Sequence, residues 1–313
     1  MTAKERIAII GAGIGGLSAA IRLQHAGYQV EIFEKESLPG GKMNQMAVDG
    51  YTFDVGPTIV MWPEAYRELF TLTGRDPEDY IPMQKLTPMY DVYFKGDPYR
   101  HYSVSNDLTD LMALMESKDP RNVLGFLQYL AEMYQRYQVA MDHFIISEDL
   151  DDNMARIFDG RLIDNPSIYL HVPSQVDETR APEGKANFYL LMPVSELGTA
   201  QYAYDQSTVQ FYKEKALETL ARIPGLENLE SQIEVERVFT PNDFESHYNA
   251  YRGATFGLQP TLMQSNHFRP QAKAENVSGL YFTGSSTHPG AGVPIVIESG
   301  KICADELMLD DEG

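Results

Sequence analysis

Three glycines in the spacing G-x-G-x-x-G, at Gly11, Gly13 and Gly16, could hold the phosphates of a dinucleotide. Gly11 permits a tight turn, Gly13 lets a pyrophosphate approach the backbone with no Cβ in the way, and Gly16 lets the following helix lie close on its strand. Glu34, about twenty residues further on, can accept hydrogen bonds from both ribose hydroxyls of an adenosine. A carboxylate there disfavours a 2'-phosphate, which makes NADP the poorest candidate. Lys42 follows the pair Gly40-Gly41 and sets a cation beside a flexible turn, where it can reach the same pyrophosphate; the competing reading is a solvated loop lysine. Near the other end of the chain, Thr283-Gly284-Ser285-Ser286 and Thr287-His288-Pro289-Gly290-Ala291-Gly292-Val293-Pro294 make a second glycine loop.

These residues need particular elements to position them. Arg6 to Ile10 is an apolar run of strand length, and Leu17 to Leu23 has helical periodicity, so the first glycines sit at a strand-turn-helix junction. Gln29 to Phe33 reads as the next strand and delivers Glu34 at its end. Asp49 to Thr58 reads as a hairpin-like turn and strand ending in the rigid Gly56-Pro57 corner, which could present backbone to a flat ring. Residues 122 to 144 carry Phe126, Leu130, Met133, Tyr137, Ala140 and Phe144 at three- and four-residue spacing, a core-facing helical stripe. Ser167 to Val172 and Asn187 to Met192 read as strands able to pair antiparallel, and Thr208 to Arg222 as a helix ended by Pro224-Gly225. Gly279 to Phe282 reads as a strand running into the second glycine loop, with a helix through Ile295 to Lys301 behind it. The start of that helix carries partial positive charge, and a flavin has a use for it: reduction puts negative charge on the N1–C2=O edge of the isoalloxazine ring.

The 313 residues can bury a large core and could hold two domains. A formal charge of −20 argues against nucleic acid as a partner and against a polybasic hold on anionic lipid. Cys303 is the only cysteine, so an intrachain disulfide, a thiolate cluster and a dithiol pair are all excluded; it reads as a small core residue. The seven histidines fall at no metal-ligand spacing, and no G-x-S-x-G elbow points to a hydrolase. No segment reaches the length of apolar chain that a membrane span needs. The expected location is cytoplasmic, with contact at the inner face of the membrane left open.

Several stretches together resemble the bacterial carotenoid desaturases, FAD enzymes of the amine-oxidase-like superfamily, and within them the dehydrosqualene (4,4'-diapophytoene) branch. They are Gly11 to Leu23, Gly40 to Lys42, Asp54 to Thr58, Asp164 to Tyr169, Ala181 to Lys185, Phe239 to Glu245, Phe256 to Leu262, Gln264 to Asn266 and Thr287 to Pro294. The resemblance implies an α/β fold: a Rossmann-like FAD-binding domain with a mixed or parallel sheet, plus the remnant of an antiparallel-sheet substrate domain. It implies residues 1–144 as the first part of the FAD-binding domain with a helical extension, 145–250 as a partial substrate domain, and 251–313 as the return to the FAD-binding domain. Residues and resemblance together place FAD contacts at Gly11, Ala12, Gly13, Ile14, Gly16, Glu34, Lys35, Gly41, Lys42, Pro57, Thr58, Gly284, Ser285, Pro289, Gly292, Val293 and Pro294.

The implied substrate is a long apolar isoprenoid, desaturated by hydride transfer from an allylic carbon to flavin N5. Thr287 and His288 fall near the flavin by motif position, and no residue is assigned as catalytic. Members of the family are longer by about one domain, and the missing segment would fall between Phe144 and Ile145. That leaves a shortened, non-catalytic FAD-binding remnant as one alternative, and another flavin oxidoreductase, an amine oxidase or a carotenoid isomerase, as the other.

Overall fold

A short apolar strand, a glycine turn and a small-residue helix are the ingredients of a parallel crossover, and the start of the chain builds one. The computed structural model describes residues 5–58, 60–94, 100–135, 149–175, 177–223, 225–261, 264–265 and 268–312. Strand β1 (Arg6–Ile10), helix α1 (Ile14–His25) and strand β2 (Gln29–Phe33) form the first unit, with β1 parallel to β2 and Ile10 opposite Phe33. An antiparallel hairpin follows, β3 (Gln45–Val48) and β4 (Tyr51–Asp54). Its two turn residues, Asp49 and Gly50, both have positive φ (50° and 84°), as a two-residue hairpin turn favours. Helix α2 (Pro63–Thr71) comes next.

The middle of the chain contributes β5 (Tyr90–Phe94), β6 (Arg100–Val104), α3 (Leu108–Glu116), α4 (Pro120–Gln135), α5 (Leu150–Asp159), β7 (Tyr169–His171) and β8 (Tyr189–Leu191). The last part holds α6 (Gln206–Leu220), α7 (Pro241–Tyr248) and α8 (Val293–Glu312). Contacts divide the chain into two units, Met1–Pro82 with Val172–Tyr189 and Glu196–Gly313, and Met83–His171 with Leu190–Ser195. Every sheet among the described residues has two strands.

In the larger unit, α1 and α8 form the spine. Ala19, Leu23, Tyr28 and Ala304 are buried together, with Ile7, Val30, Leu307 and Met308 against them. Small residues let the two backbones approach: a Cβ at Gly300 would lie 2.6 Å from Ser18 Cβ and 2.7 Å from the Gly15 carbonyl oxygen. The Ser18 hydroxyl donates to the Ile297 carbonyl at 2.8 Å, so this buried hydroxyl is satisfied. A second cluster, Ala65, Leu69, Val293 and Ile297, ties α2 to the start of α8. Cys303 is buried in α8, and burial pushes its thiol up to about 11, the behaviour of a core residue and not of a nucleophile.

Charge is also buried at this junction. Arg22 is 7% exposed, its Nη1 lies 3.3 Å from Glu68, and Lys301 lies 3.1 Å from the same carboxylate. Burial pushes the Glu68 carboxyl up, but Lys301 and Arg22 outweigh it and hold the group below the ordinary carboxylate range. A depressed folded-state pKa contributes stability that is present at neutral pH and is lost as pH falls through the folded value. Glu68→Gln is therefore expected to lower stability at pH 7 and to remove part of the acid-induced loss seen in the parent. Breaking a fully buried pair costs about 3–5 kcal/mol; the exposed edge of Glu68 reduces this to about 1–2 kcal/mol. Thermal melts at pH 7 and pH 4 check it, and an unchanged melting temperature at pH 7 would contradict it.

The hairpin β3–β4 is held by the segment that follows β7. Arg180 bridges Asp54 and Asp177 at 3.0 Å each, Asn187 donates to the Thr52 carbonyl at 2.7 Å, and Tyr51 donates to Glu234 at 2.8 Å, a carboxylate also paired with Lys185. Two stretches distant in sequence, 51–54 and 177–187, thus belong to one local structure.

The smaller unit is built by itself. β5 and β6 pair antiparallel, and α3 and α5 are capped by Asp107 and Asp149. Buried Asn153 on α5 organises the turn after the helix: it donates to the Asn165 carbonyl at 3.0 Å and accepts from the Ser167 amide at 2.9 Å. β7 and β8 pair but are three residues each, shorter than the runs read as strands, because Pro173 and Pro193 stop the ladder nearby. The helical stripe from residue 122 is α4 up to Gln135; Tyr137, Ala140 and Phe144, and the junction between Phe144 and Ile145, lie outside the described residues.

One expected strand does not form. Gly279 to Phe282 makes a single antiparallel bridge, Tyr281 with Lys273, flanked by bonds from the Phe282 amide to Ala272 and from the Ala274 amide to Leu280. Gly279 (φ 72°) and Gly284 (φ 133°) leave extended conformation at both ends, and too few residues remain between them for a ladder.

Candidate functional site

The glycines that follow β1 divide into two roles. A Cβ at Gly16 would strike the Gly11 carbonyl at 2.3 Å, so this residue is glycine for packing. A Cβ at Gly13 would meet nothing within 4 Å, so this residue faces open space. Gly13 is also the N-cap of α1, with no side-chain cap and no acid in the first turn. The first amides of α1 have no intrahelical acceptor, and the helix dipole adds partial positive charge there.

Two further turns close on this one. The Gly40 amide donates to the Ala12 carbonyl at 2.8 Å, and a Cβ at Gly41 would lie 3.1 Å from Gly13 Cα. Gly56 is pressed on the Lys42 carbonyl, where a Cβ would sit at 1.8 Å, so the Pro57-Thr58 corner leaves directly from the Gly40–Lys42 turn. The Lys42 ammonium donates to the Thr255 carbonyl at 2.5 Å, and burial pushes its pKa down. Glu34 accepts from the Glu36 amide (3.0 Å) and the Ala12 amide (2.6 Å), and these bonds lower its pKa. Its carboxylate is therefore ionised at the mouth of the glycine turn, with further lone pairs on each oxygen. Lys35 is held elsewhere, donating to Ser246 O and Asn249 Oδ1 at 3.1 Å each at the end of α7.

The second glycine loop arrives at the same place. A Cβ at Gly15 would lie 2.8 Å from Thr283 Oγ1 and 3.2 Å from the Gly284 amide, so the first turn of α1 touches the loop directly. Ser299, in the second turn of α8, accepts from the Gly284 amide at 3.1 Å and shares a 2.8 Å hydrogen bond with Thr287 Oγ1. Val293 is buried in the α2–α8 cluster, and the half-buried Ile14 packs against it. Among the described residues, the amides of Ser285, Ser286, Gly290, Ala291 and Gly292 donate to no protein acceptor. His288 Nδ1 is buried with no partner.

Free amides on two helix-start loops in contact, a carboxylate beside one of them and open space at Gly13 suit a long dinucleotide with an anionic middle. They fit FAD.

Four residues of this arrangement are not apparent from motif reading. Gly15 and Gly300 carry the α1–α8 contact, and Ser299 anchors the second loop. The signal for the first two was present as small residues at helical spacing, Gly15-Ser18-Ala19 and Gly300-Ala304. Arg269 is the fourth. Its guanidinium donates to the carbonyls of Ser285 (2.6 Å), Thr287 (3.0 Å), Gln264 (3.0 Å) and Leu258 (3.3 Å), and so gathers three segments around the loop. Nothing local in Phe268-Arg269-Pro270 announces such a role.

Comparison with known proteins agrees with the geometry. Residues 9–75 match the family described as NAD(P)-binding Rossmann-like domain, and residues 159–308 match that described as flavin containing amine oxidoreductase. The chain is 29% identical to a 4,4'-diapophytoene desaturase (4,4'-diaponeurosporene-forming) of Staphylococcus aureus (strain bovine RF122 / ET3-1), over 98% of this chain and 99% of the relative. The desaturase of the same description from Staphylococcus aureus (strain Newman) matches with the same identity and coverage. The alignment runs over 500 positions against the 313 residues of this chain, so a long stretch of the relative has no counterpart here. Among solved structures, a CLA-producing fatty acid isomerase from P. acnes is 25% identical over 38% of this chain and 29% of its own, with a TM-score of 0.25, too low to carry weight.

Proposed function

We propose that this chain, an FAD-dependent oxidoreductase that fits the carotenoid desaturase family, desaturates a long apolar isoprenoid of the diapophytoene or phytoene type. The observation that carries the reading is the direct contact of the Gly11–Gly16 turn with the Thr283–Gly284 loop through Gly15. Bound FAD would supply the hydride acceptor, N5, for an allylic carbon of the substrate. The amides at the start of α1 bind the pyrophosphate, and Glu34 takes the ribose hydroxyls. Gly41, Lys42, Pro57 and Thr58 flank the dinucleotide on one side. Gly284, Ser285, Pro289, Gly292, Val293 and Pro294 present backbone to the flavin. A hydrocarbon offers no handle for an ion pair, so its binding comes from apolar burial, at about 0.8 kcal/mol per methylene. In this reading residues 1–144 and 251–313 carry the cofactor and 145–250 the remainder of a substrate domain.

No helix among the described residues is long and apolar enough to cross a membrane. Substrate would instead be met at the inner membrane face, so the test supplies it in liposomes. Purified chain loaded with FAD and given diapophytoene is expected to form coloured polyenes together with reduced flavin.

A second reading is supported by the length difference and by β1–β2: Ile10 is 92% exposed and Phe33 52%, although parallel sheets are ordinarily covered on both faces. In that reading the shortened chain binds FAD without turnover. Bound flavin with no coloured product favours it, and a protein that takes up no FAD excludes both.

A further inference from the structure

Arg269 is 3% exposed and has no carboxylate within ion-pair distance among the described residues. Four carbonyls solvate its guanidinium and none neutralises it. A buried, uncompensated charge is costly, and burial lowers the pKa of this group accordingly. The carbonyls it holds are also specific. Two of them, Ser285 and Thr287, lie inside the loop whose amides are left without acceptors, and a third, Leu258, lies beside Gly257, where a Cβ would be 2.6 Å from Ser286 Oγ. Across a planar trans peptide the amide points opposite to the carbonyl. Turning the Ser285 carbonyl onto Arg269 therefore turns the Ser286 amide away from it, and that amide has no protein acceptor among the described residues.

We propose that Arg269 is a positioning residue for the flavin: it fixes the Ser285–Thr287 turn with the Ser286 amide turned away from the guanidinium, and its charge is balanced when the flavin becomes reduced and anionic. This rests on Gly284–Pro294 being the flavin loop. The positive charge then acts with the start of α8 to favour the reduced form.

The experiment is the reduction potential of the bound flavin, read by equilibrium with a reference dye, in the wild type, Arg269→Gln and Arg269→Lys. Arg269→Gln is expected to shift the equilibrium about tenfold toward oxidised flavin, ~30 mV for a two-electron couple. Arg269→Lys keeps the charge but loses the planar fork, so it is expected to melt at a lower temperature while its equilibrium stays within about threefold of the wild type. Equal potentials in all three proteins would overturn the proposal and leave Arg269 a packing residue. Should Arg269→Gln not fold, Arg269→Lys decides alone: a tenfold shift despite the retained charge overturns it. A wild-type chain that holds no FAD is a different result, which removes the flavin site itself.

Discussion

Gly13→Ala is expected to fold as the parent does and to bind FAD about a hundredfold more weakly, about 2.8 kcal/mol at 1.4 kcal/mol per decade. The backbone at Gly13 (φ −71°, ψ 171°) is one that alanine adopts freely, and the added Cβ would meet no protein atom within 4 Å. Folding has nothing to lose, and a reduced entropy of the unfolded chain adds a few tenths of a kcal/mol, of order 0.4–1, to stability. The methyl group instead occupies the space in which a pyrophosphate must approach the first amides of α1. Gly16→Ala is the control, because its Cβ collides with the Gly11 carbonyl and should cost the apoprotein stability directly. Thermal melts without cofactor and quenching of flavin fluorescence on titration separate the two. Undiminished affinity in Gly13→Ala would mean that no ligand passes over that residue.

Gly300→Ala is the second large effect, and two terms of opposite sign decide it. Alanine in the interior of α8 gains about 1 kcal/mol of helix propensity. Against this, the new methyl would lie 2.6–2.8 Å from Ser18 Cβ, the Gly15 carbonyl oxygen and Ser18 Oγ. Two of these partners are firmly held, one as helix backbone and one at the buried crossing, so the helices must separate; overpacking of this kind costs about 1–3 kcal/mol and at times more. The net expectation is a loss of up to about 2 kcal/mol, a fall of several degrees in melting temperature at roughly 2–4 °C per kcal/mol. FAD affinity falls with it, because the same crossing brings Gly15 to Thr283 and Gly284. A melting temperature at or above that of the parent would contradict the close crossing.

Much of this was legible in the residues because local rules determine it. The β1-α1-β2 crossover, the Asp49-Gly50 hairpin and helix α6 all follow from periodicity and turn chemistry within a dozen residues. The meeting of the two glycine loops was expected only from chemistry, through the demand of a flavin for positive potential at two places. What motif reading missed is long-range. Gly15 and Gly300 are ordinary helix residues until the other helix is placed against them, and Arg269 is one arginine among many until four carbonyls from three segments surround it. The run Gly279 to Phe282 has a strand-like composition, yet glycines with positive φ at either end limit it to one bridge. Lys35, next to Glu34, reads as a cofactor contact in sequence, and in space its ammonium donates to Ser246 O and Asn249 Oδ1 at the end of α7.

The central claim is that one FAD spans both glycine loops. A crystal structure of the chain grown with FAD tests it most directly. The pyrophosphate should lie against the amides of Gly13 to Gly16, and the isoalloxazine ring against the Gly284–Pro294 loop. Density for the dinucleotide that engages only one of these loops, or lies away from both, would contradict it.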